Sequence, residues 1–255
     1  MLDEIIGVRA FADNYIWLLR KGAQFVVVDP GAAAPVRAAI EALRGQLVAI
    51  LITHHHADHV GGVDELLAWQ PVPVYGPASE SIACVDRPVI PGEQVRVEAL
   101  EATFDVIDVG GHTLGHIAYH TEEALFCGDT LFAGGCGRIF EGTPEQMWSS
   151  LQRLAALPHT TRVYCAHEYT EANLRFAVAV EPDNQALKQR WNDVQALRAE
   201  DRPTVPSTLD LELRTNPFLR VSEPAVVSAA EGFEGHALRE QVAVFAALRS
   251  WKNVF

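Results

Sequence analysis

The chain has 255 residues, 49% of them hydrophobic, which suits one large domain or a large domain with a smaller one. Its formal net charge of −13 argues against nucleic acid as a partner, because phosphate backbones attract basic surfaces. No apolar run approaches the length of a membrane span, and the acidic N-terminus lacks the basic residues of a secretory signal, so we expect a cytoplasmic protein with no membrane partner.

The first 170 residues alternate short apolar runs with amphipathic ones, which is the pattern of a mixed α/β domain. Strands are predicted at residues 5–8, 15–19, 25–29, 48–52, 72–75, 95–97, 104–109, 117–120 and 124–127. Helices are predicted at residues 35–43, 63–69 and 145–156. Thr143 and Pro144 occupy cap positions before the last of these helices.

From about residue 170 the pattern becomes helical. Helices are predicted at residues 171–180, 184–200 and 236–251, with a proline-rich connection at 202–206. We therefore expect an α/β domain at residues 1–170 and a small helical domain at residues 171–255. A junction between domains is a common place for a small-molecule pocket.

The run Thr-His-His-His-Ala-Asp-His at residues 53–59 follows a predicted buried strand. His54 and His56 are two apart, so extended chain points both to one side and they can bind one ion. Asp58 and His59 follow where the chain turns, so two neighbouring ions are an easier geometry than one. Histidines that cluster by chance, cap a helix or fill a core are the alternative. It is disfavoured because ligand-type residues at this spacing seldom follow a strand without a metal.

Three further candidate ligands each follow a short apolar run, namely His112, Asp129 and His167. A common rim of strand ends would bring them to the first four candidates. Imidazole and carboxylate are ligand types that suit zinc, iron and manganese. His55 and His116 lie beside the candidates, and we expect them to hydrogen-bond ligands or backbone.

These motifs resemble the metallo-β-lactamase superfamily and, within it, the glyoxalase II (hydroxyacylglutathione hydrolase) family. The superfamily pattern is the HxHxDH run, a glycine-flanked histidine, a Gly-Asp-Thr and a late histidine. The family pattern adds segments at residues 13–17, 127–132, 135–138, 166–170 and 216–220. The resemblance covers essentially the whole chain. It implies an αββα metallo-β-lactamase-like sandwich followed by a small α-helical domain.

The resemblance implies a dinuclear metal-dependent hydrolase of S-(2-hydroxyacyl)glutathione thioesters, in which a metal-bridged hydroxide attacks the thioester. The implied reaction, S-D-lactoylglutathione to glutathione and D-lactate, is the second step of methylglyoxal detoxification. Two divalent ions per chain are implied, with zinc first and iron or manganese as alternatives. In our hypothesis the first ion is held by His54, His56 and His112, and the second by Asp58, His59 and His167. Asp129 bridges both ions, and Asp58 and Asp129 are the catalytic carboxylates.

The implied substrate is anionic and would be repelled by so acidic a chain, so a local basic cluster is expected. The resemblance places substrate contacts at Arg138, Phe140, His167, Tyr169, Arg249 and Lys252. Arg249 and Lys252 are three apart and share one helical face. The alternative is that both are solvated cations favoured by the helix dipole in a last turn. At Phe140 the family more often carries tyrosine, so one hydrogen bond is lost here.

Other functions remain open at this point. Some relatives bind one iron and oxidise glutathione persulfide, but that branch tends to lose second-ion ligands. A scaffold with a vestigial site, or a hydrolase of lactones, β-lactams or RNA, are further alternatives. Cys127 and Cys136 flank the Asp129 region, and we expect small buried side chains there and reduced thiols throughout. We expect a monomer or a weak homo-oligomer.

Overall fold

The computed structural model describes residues 2–255, which divide into two compact units. The first unit reaches to Asp108 and resumes at Thr113–Gly128. The second unit comprises Val109–His112 and Asp129–Phe255. Within residues 2–255, no helix combines the length and the apolar character that crossing a membrane requires.

A six-stranded sheet in the first unit follows the chain order β1 to β6. Its strands are β1 (Glu4–Ala10), β2 (Asn14–Lys21), β3 (Gln24–Val28), β4 (Gln46–Leu51), β5 (Val74–Pro77) and β6 (Arg87–Val89). Strands β1, β2 and β3 are antiparallel neighbours, whereas β3 to β6 pair in parallel. The ends of β3 and β4 therefore lie at the same edge, where the backbone N–H of Asp29 donates to the carbonyl of Leu51 at 2.9 Å.

Helices cover one face of this sheet. Alternate strand side chains such as Leu18 and Val27 pack in one apolar cluster with Ile40 and Leu66 of two helices, and all four are fully buried. The alternation follows from the two-residue period of a strand, which sends every second side chain to the same face. The helices of this unit are α1 (Ala33–Ala42), α2 (Ala57–Val60) and α3 (Val63–Trp69).

Four antiparallel strands of a second sheet complete the first unit. They are β7 (Gln94–Val97), β8 (Ala102–Asp108), β9 (Ile117–Thr121) and β10 (Ala124–Gly128). The hydroxyl of Tyr119 on β9 donates to the carbonyl of Ile52 after β4 at 3.0 Å, and the 3-10 turn Glu98–Leu100 contacts β2 and β3. Strand β3 is consequently buried on both faces, which explains its continuous apolar sequence.

The second unit combines two strand pairs with six helices. Its strands are β11 (Leu131–Phe132), β12 (Gly135–Cys136), β13 (Arg162–Cys165) and β14 (Ser207–Thr208), with β11 antiparallel to β12 and β13 to β14. Its helices are α4 (Pro144–Ala155), α5 (Thr170–Val180), α6 (Gln185–Ala199), α7 (Leu209–Thr215), α8 (Pro224–Glu234) and α9 (Gln241–Val254). Thr143 caps α4 as predicted, through a reciprocal pair of bonds with Gln146.

The predicted helix at residues 236–251 is wrong at its start. It begins at Gln241, and the preceding Pro224–Glu234 segment forms a separate helix that the hydrophobic pattern does not predict. Gly235 ends that helix in the left-handed conformation, with φ of 77°. Pro224 in the first turn and this glycine at the end are the sequence signals that mark such a helix. The other predicted elements lie within about two residues of their observed bounds.

A buried ion pair organises the second unit. Glu212 on α7 is fully buried, and its carboxylate pairs with the guanidinium of Arg190 on α6. The same carboxylate accepts from the backbone N–H of Gly134 at 2.8 Å, from Asn216 Nδ2 at 3.1 Å and from the Ser207 hydroxyl. A buried charge needs such compensation, because desolvation of an unpaired ion is costly.

Replacing Glu212 with Gln should lower the free energy of unfolding by about 3–5 kcal/mol, because it leaves the Arg190 charge buried without its counter-ion. Urea denaturation followed by circular dichroism measures the change. Asp210→Asn on the same helix is the control, since its pair with Arg214 is more than half exposed and should change stability by less than about 0.5 kcal/mol. Equal effects of the two substitutions would contradict the role given to Glu212.

Candidate metal centre

The loop after β4 gathers the first group of predicted metal ligands. His54 and His59 are fully buried, whereas His56 and Asp58 are partly exposed. The Nε2 atom of His54 lies 3.1 Å from Nδ1 of His56, and Oδ2 of Asp58 lies 3.6 Å from Nε2 of His59. The four side chains therefore form two pairs, and the close approach of His54 and His56 is the one that their spacing in the sequence predicts.

Asp29, which sequence reasoning missed, orients this loop. Its buried carboxylate accepts hydrogen bonds from the backbone N–H and the hydroxyl of Thr53, both at 2.7 Å. The Nδ1 atom of His59 lies 3.0 Å from the same carboxylate, and one atom each of Asp29, His54 and His59 lie within 4.8 Å of one another. A carboxylate bonded to Nδ1 fixes the ring so that Nε2 faces a metal. Its signal was available, because Asp29 directly follows a buried strand as the other candidates do.

Two further contacts hold the loop in place. Asn14, which is buried at the start of β2, donates from Nδ2 to Oδ2 of Asp58 at 2.9 Å. Gly31 packs so tightly that a Cβ there would stand 1.8 Å from the carbonyl oxygen of Asp58. Only glycine fits this position, because any side chain would displace the segment that carries Asp58.

Of the two histidines beside the predicted ligands, His116 bonds backbone as expected, whereas His55 pairs with a side chain that was not predicted. His55 Nδ1 lies 2.8 Å from Oε2 of Glu80, whose carboxylate also accepts from the Thr113 hydroxyl. His116 Nδ1 lies 3.0 Å from the carbonyl of Ile117, and its ring stacks on that of His54. A carbonyl oxygen only accepts, so His116 carries its proton on Nδ1.

The second unit holds the remaining predicted ligands, all of them buried. The Oδ2 atom of Asp129 lies 3.4 Å from Nε2 of His112, and its Oδ1 atom lies 3.3 Å from Nε2 of His167. Each carboxylate oxygen thus faces a different imidazole. His112 Nδ1 lies 2.7 Å from the carbonyl of Arg138, which places the proton on Nδ1 and leaves Nε2 to accept.

The separations in both units fit metal coordination. Two donors bound to one ion at about 2.0–2.1 Å in a tetrahedral site lie about 3.3 Å apart. Donor pairs at 3.1, 3.3 and 3.4 Å match that spacing. The donor set of imidazoles and carboxylates also matches the chemistry of a divalent transition metal.

Models of two protein families match consecutive parts of the chain. The metallo-beta-lactamase superfamily matches residues 11–167, and the hydroxyacylglutathione hydrolase C-terminus matches residues 168–255. A relative from Alkalilimnicola ehrlichii, named hydroxyacylglutathione hydrolase, is 59% identical over 99% of each chain. Another of that name from Pseudomonas entomophila is 54% identical over 99% of each. The chain belongs to the hydroxyacylglutathione hydrolase family.

A solved structure agrees with this assignment. The crystal structure of TTHA1623 in a di-iron-bound form is 26% identical to the chain, with a TM-score of 0.60, and the match covers 85% of this chain and 100% of that one. The predicted fold class, a metallo-β-lactamase-like fold followed by a helical C-terminal region, is confirmed. The metallo-β-lactamase fold and the His/Asp groups of the chain both support the binding of a divalent metal.

Two aromatic residues predicted to contact substrate lie beside ligands of the second unit. The Tyr169 ring stacks on that of His167, with centroids 4.7 Å apart and planes 4° apart. The Phe140 ring meets that of His112 edge-on at 5.1 Å and is 62% exposed. Both rings therefore pack against imidazoles that are predicted to bind metal.

Arg249 is held inside the second unit rather than in solvent. It is only 6% exposed, and its Nη1 atom donates to the carbonyl of Cys136 at 2.9 Å. Its guanidinium also lies 5.2 Å from the centroid of the Phe218 ring. The alternative of a solvated cation in a last helical turn is therefore wrong for Arg249.

Lys252 completes a cation cluster with Arg138, Arg175 and Arg249. Its Nζ atom donates to the carbonyl of Ala172 on α5 at 3.1 Å. Burial, reinforced by the charges of the three arginines, lowers the pKa of Lys252 to about 8. Arg175 was not predicted, because it belongs to α5 and nothing in the sequence ties it to the last helix.

All four cysteines are free thiols. Cys127 and Cys136 are buried, as expected of small apolar side chains near the site. Burial raises the pKa of the Cys165 thiol to about 12 and also raises the pKa of Cys136. These two thiols are therefore not nucleophiles at neutral pH.

Asp29→Asn should weaken metal binding by about 10- to 100-fold, because an amide cannot accept from Thr53 and His59 as the carboxylate does. Competition with a chromophoric chelator measures the affinity. Asp105→Asn is the control, since that largely exposed carboxylate faces His120 at 3.9 Å outside the metal loop. Wild-type affinity in the Asp29 variant would remove the orienting role assigned to this carboxylate.

Proposed function

We propose that the protein hydrolyses S-(2-hydroxyacyl)glutathione thioesters, converting S-D-lactoylglutathione to glutathione and D-lactate in the second step of methylglyoxal detoxification. The observation that carries the proposal is the Asp129 carboxylate, which presents one oxygen to His112 and the other to His167. A carboxylate with both oxygens directed to separate imidazoles suits a centre with two cations. Relatives that carry the hydroxyacylglutathione hydrolase name over their full length support the substrate class.

The proposed centre takes two divalent ions per chain, with zinc as the usual occupant and iron or manganese as alternatives. The first ion is assigned to His54, His56 and His112. The second is assigned to Asp58, His59 and His167, with Asp129 shared. The di-iron form of TTHA1623 supports two ions rather than one, since that protein shares 26% identity and the fold.

The reaction needs an activated water and a stabilised oxyanion. A divalent ion, when bound, lowers the pKa of water towards neutrality and polarises a carbonyl oxygen. In the proposed mechanism Asp58 accepts the proton of the attacking water. Its carboxylate is partly exposed, and its Oδ2 atom accepts a hydrogen bond from Asn14 at 2.9 Å. The leaving thiol has a pKa of about 8–9, so it departs as a thiolate and the site needs no strong general acid.

The cation cluster would bind the carboxylates of glutathione. Arg138 and Arg175 are exposed, and Lys252 is partly buried beside the buried Arg249. The chain as a whole has a net charge of −13 and would repel an anionic substrate. The four clustered cations would attract it locally. Phe140, His167 and Tyr169 complete the proposed substrate contacts.

Other functions have less support. The single-iron persulfide dioxygenase is not favoured, because the full set of second-ion candidates is present in the chain. Hydrolysis of RNA conflicts with the net negative charge. The division into domains at residues 1–170 and 171–255, the cytoplasmic location, and the monomeric or weakly associated state remain predictions.

Replacing Asp129 with Asn should remove most of the metal and lower kcat/KM for S-D-lactoylglutathione more than about 100-fold, because both proposed ions lose their shared ligand. Elemental analysis and a turnover assay on the same sample provide the measurements. Asp193→Asn on the helical surface serves as the control, since its exposed carboxylate accepts from Gln189 of the same helix and lies outside the predicted site. Two ions and full activity in the Asp129 variant would refute the bridging role.

The value of kcat/KM should fall about tenfold as pH rises through 8, because Lys252 then loses the charge that binds a substrate carboxylate. The sign follows from the lowered pKa: the Lys252 ammonium is half charged at about pH 8, mostly charged below it, and neutral well before the usual lysine range. Steady-state kinetics from pH 7 to 9.5 test this. Lys252→Arg, whose side chain stays charged, should lose this alkaline fall. An identical profile in both proteins would place the substrate carboxylate elsewhere.

A further inference from the structure

Phe11 adopts a conformation that its residue type disfavours. It lies in the turn between β1 and β2 with φ of 51°, in the left-handed region. A bulky side chain there clashes with its own backbone, whereas glycine takes this conformation readily. The ring gains little from folding in return, because Phe11 is 64% exposed. An exposed aromatic residue in a disfavoured conformation indicates that the ring serves a purpose other than stability.

The turn that carries Phe11 is fixed against the metal loop. Asn14, three residues later, donates to the Asp58 carboxylate at 2.9 Å. Gly31 lies beneath the ring, since a Cβ on Gly31 would stand 2.9 Å from Cε2 of Phe11 and 1.8 Å from the carbonyl oxygen of Asp58. The ring, Gly31 and the backbone of Asp58 are therefore mutual neighbours within the first unit.

We propose that Phe11 contacts the acyl group of the thioester and determines which acyl groups the enzyme prefers. The inference rests on the proposed function and adds to it the residue that selects the acyl half of the substrate. The scissile carbonyl must lie at the metal ligands, and a 2-hydroxyacyl group extends only a few bonds beyond it. Whatever contacts that group must border the metal loop, as Phe11 does.

The chemistry of the ring sets the direction of the preference. A phenyl ring offers an apolar face and no hydrogen-bonding atom, so it favours carbon substituents on the acyl group over small or strongly polar ones. A larger apolar acyl group covers more of the exposed ring and gains more from leaving water. The enzyme should therefore favour an aromatic 2-hydroxyacyl group, such as mandeloyl, over acetyl by an amount that depends on this ring.

The experiment compares kcat/KM for S-mandeloyl-, S-lactoyl- and S-acetylglutathione in the wild type, Phe11→Gly and Phe11→Leu. The mandeloyl-to-acetyl ratio should fall about 5- to 20-fold in Phe11→Gly and less in Phe11→Leu, which keeps an apolar side chain. Metal content and inhibition by free glutathione should not change. The melting temperature of Phe11→Gly should be equal or higher, because glycine relieves the left-handed backbone.

Arg44→Gly is the matched control. Arg44 also has φ of 51° and is exposed in the first unit, but it lies in the turn after α1. It should show the same gain in melting temperature and an unchanged acyl ratio. An acyl ratio within twofold of the wild type in metal-loaded Phe11→Gly would overturn the inference alone, and so would loss of metal from that variant. A wild type that turns over none of the three thioesters would overturn the proposed function and this inference with it.

Discussion

Carboxylates buried among imidazoles are the constraint on which the chemistry of this protein depends. A carboxylate removed from water is stable only when hydrogen-bond donors or cations compensate its charge. For Asp29 the chain itself supplies donors, namely the backbone and hydroxyl of Thr53, at 2.7 Å. Asp129 instead faces imidazole nitrogens at 3.3 and 3.4 Å, a spacing that suits shared coordination better than direct hydrogen bonds. The two carboxylates therefore have different environments: hydrogen-bond donors of the metal loop surround Asp29, whereas Asp129 has the donor spacing of the metal ligand that we propose it to be.

The sequence points to the candidate ligands more readily than to the groups that orient them. Ligands such as His54 and His56 form a local pattern, and their spacing alone predicts that they face each other, as they do at 3.1 Å. Asp29 acts on Thr53, which is 24 residues away, and only the parallel pairing of β3 and β4 brings the two together. Long-range pairing of this kind leaves no local trace in one sequence. The same holds for Arg175, whose charge reaches Lys252 only through the packing of α5 and α9.

The fold shows a similar division between local and long-range information. Strands of the first unit are predicted well, because runs such as Phe25 to Val28 are apolar and β-branched with turn residues on either side. The helix at Pro224–Glu234 is missed because only two of its residues are fully buried, so its apolar face is too narrow to stand out. Arg249 and Lys252 share a helical face as their spacing predicts. Their spacing could not show that one guanidinium would be buried against the carbonyl of Cys136.

Several residues other than glycine have a left-handed backbone conformation, and their surroundings differ. Arg44 and Glu101 take this conformation where a helix or 3-10 turn ends, which is a common way to stop a helix. Asp29 takes it beside the metal loop, where its short polar side chain tolerates the geometry and its three contacts hold it there. Phe11 has neither a helix to end nor a short polar side chain. Glu122 takes the same conformation in the turn between β9 and β10, so what sets Phe11 apart is its exposed aromatic ring and its position beside the backbone of Asp58.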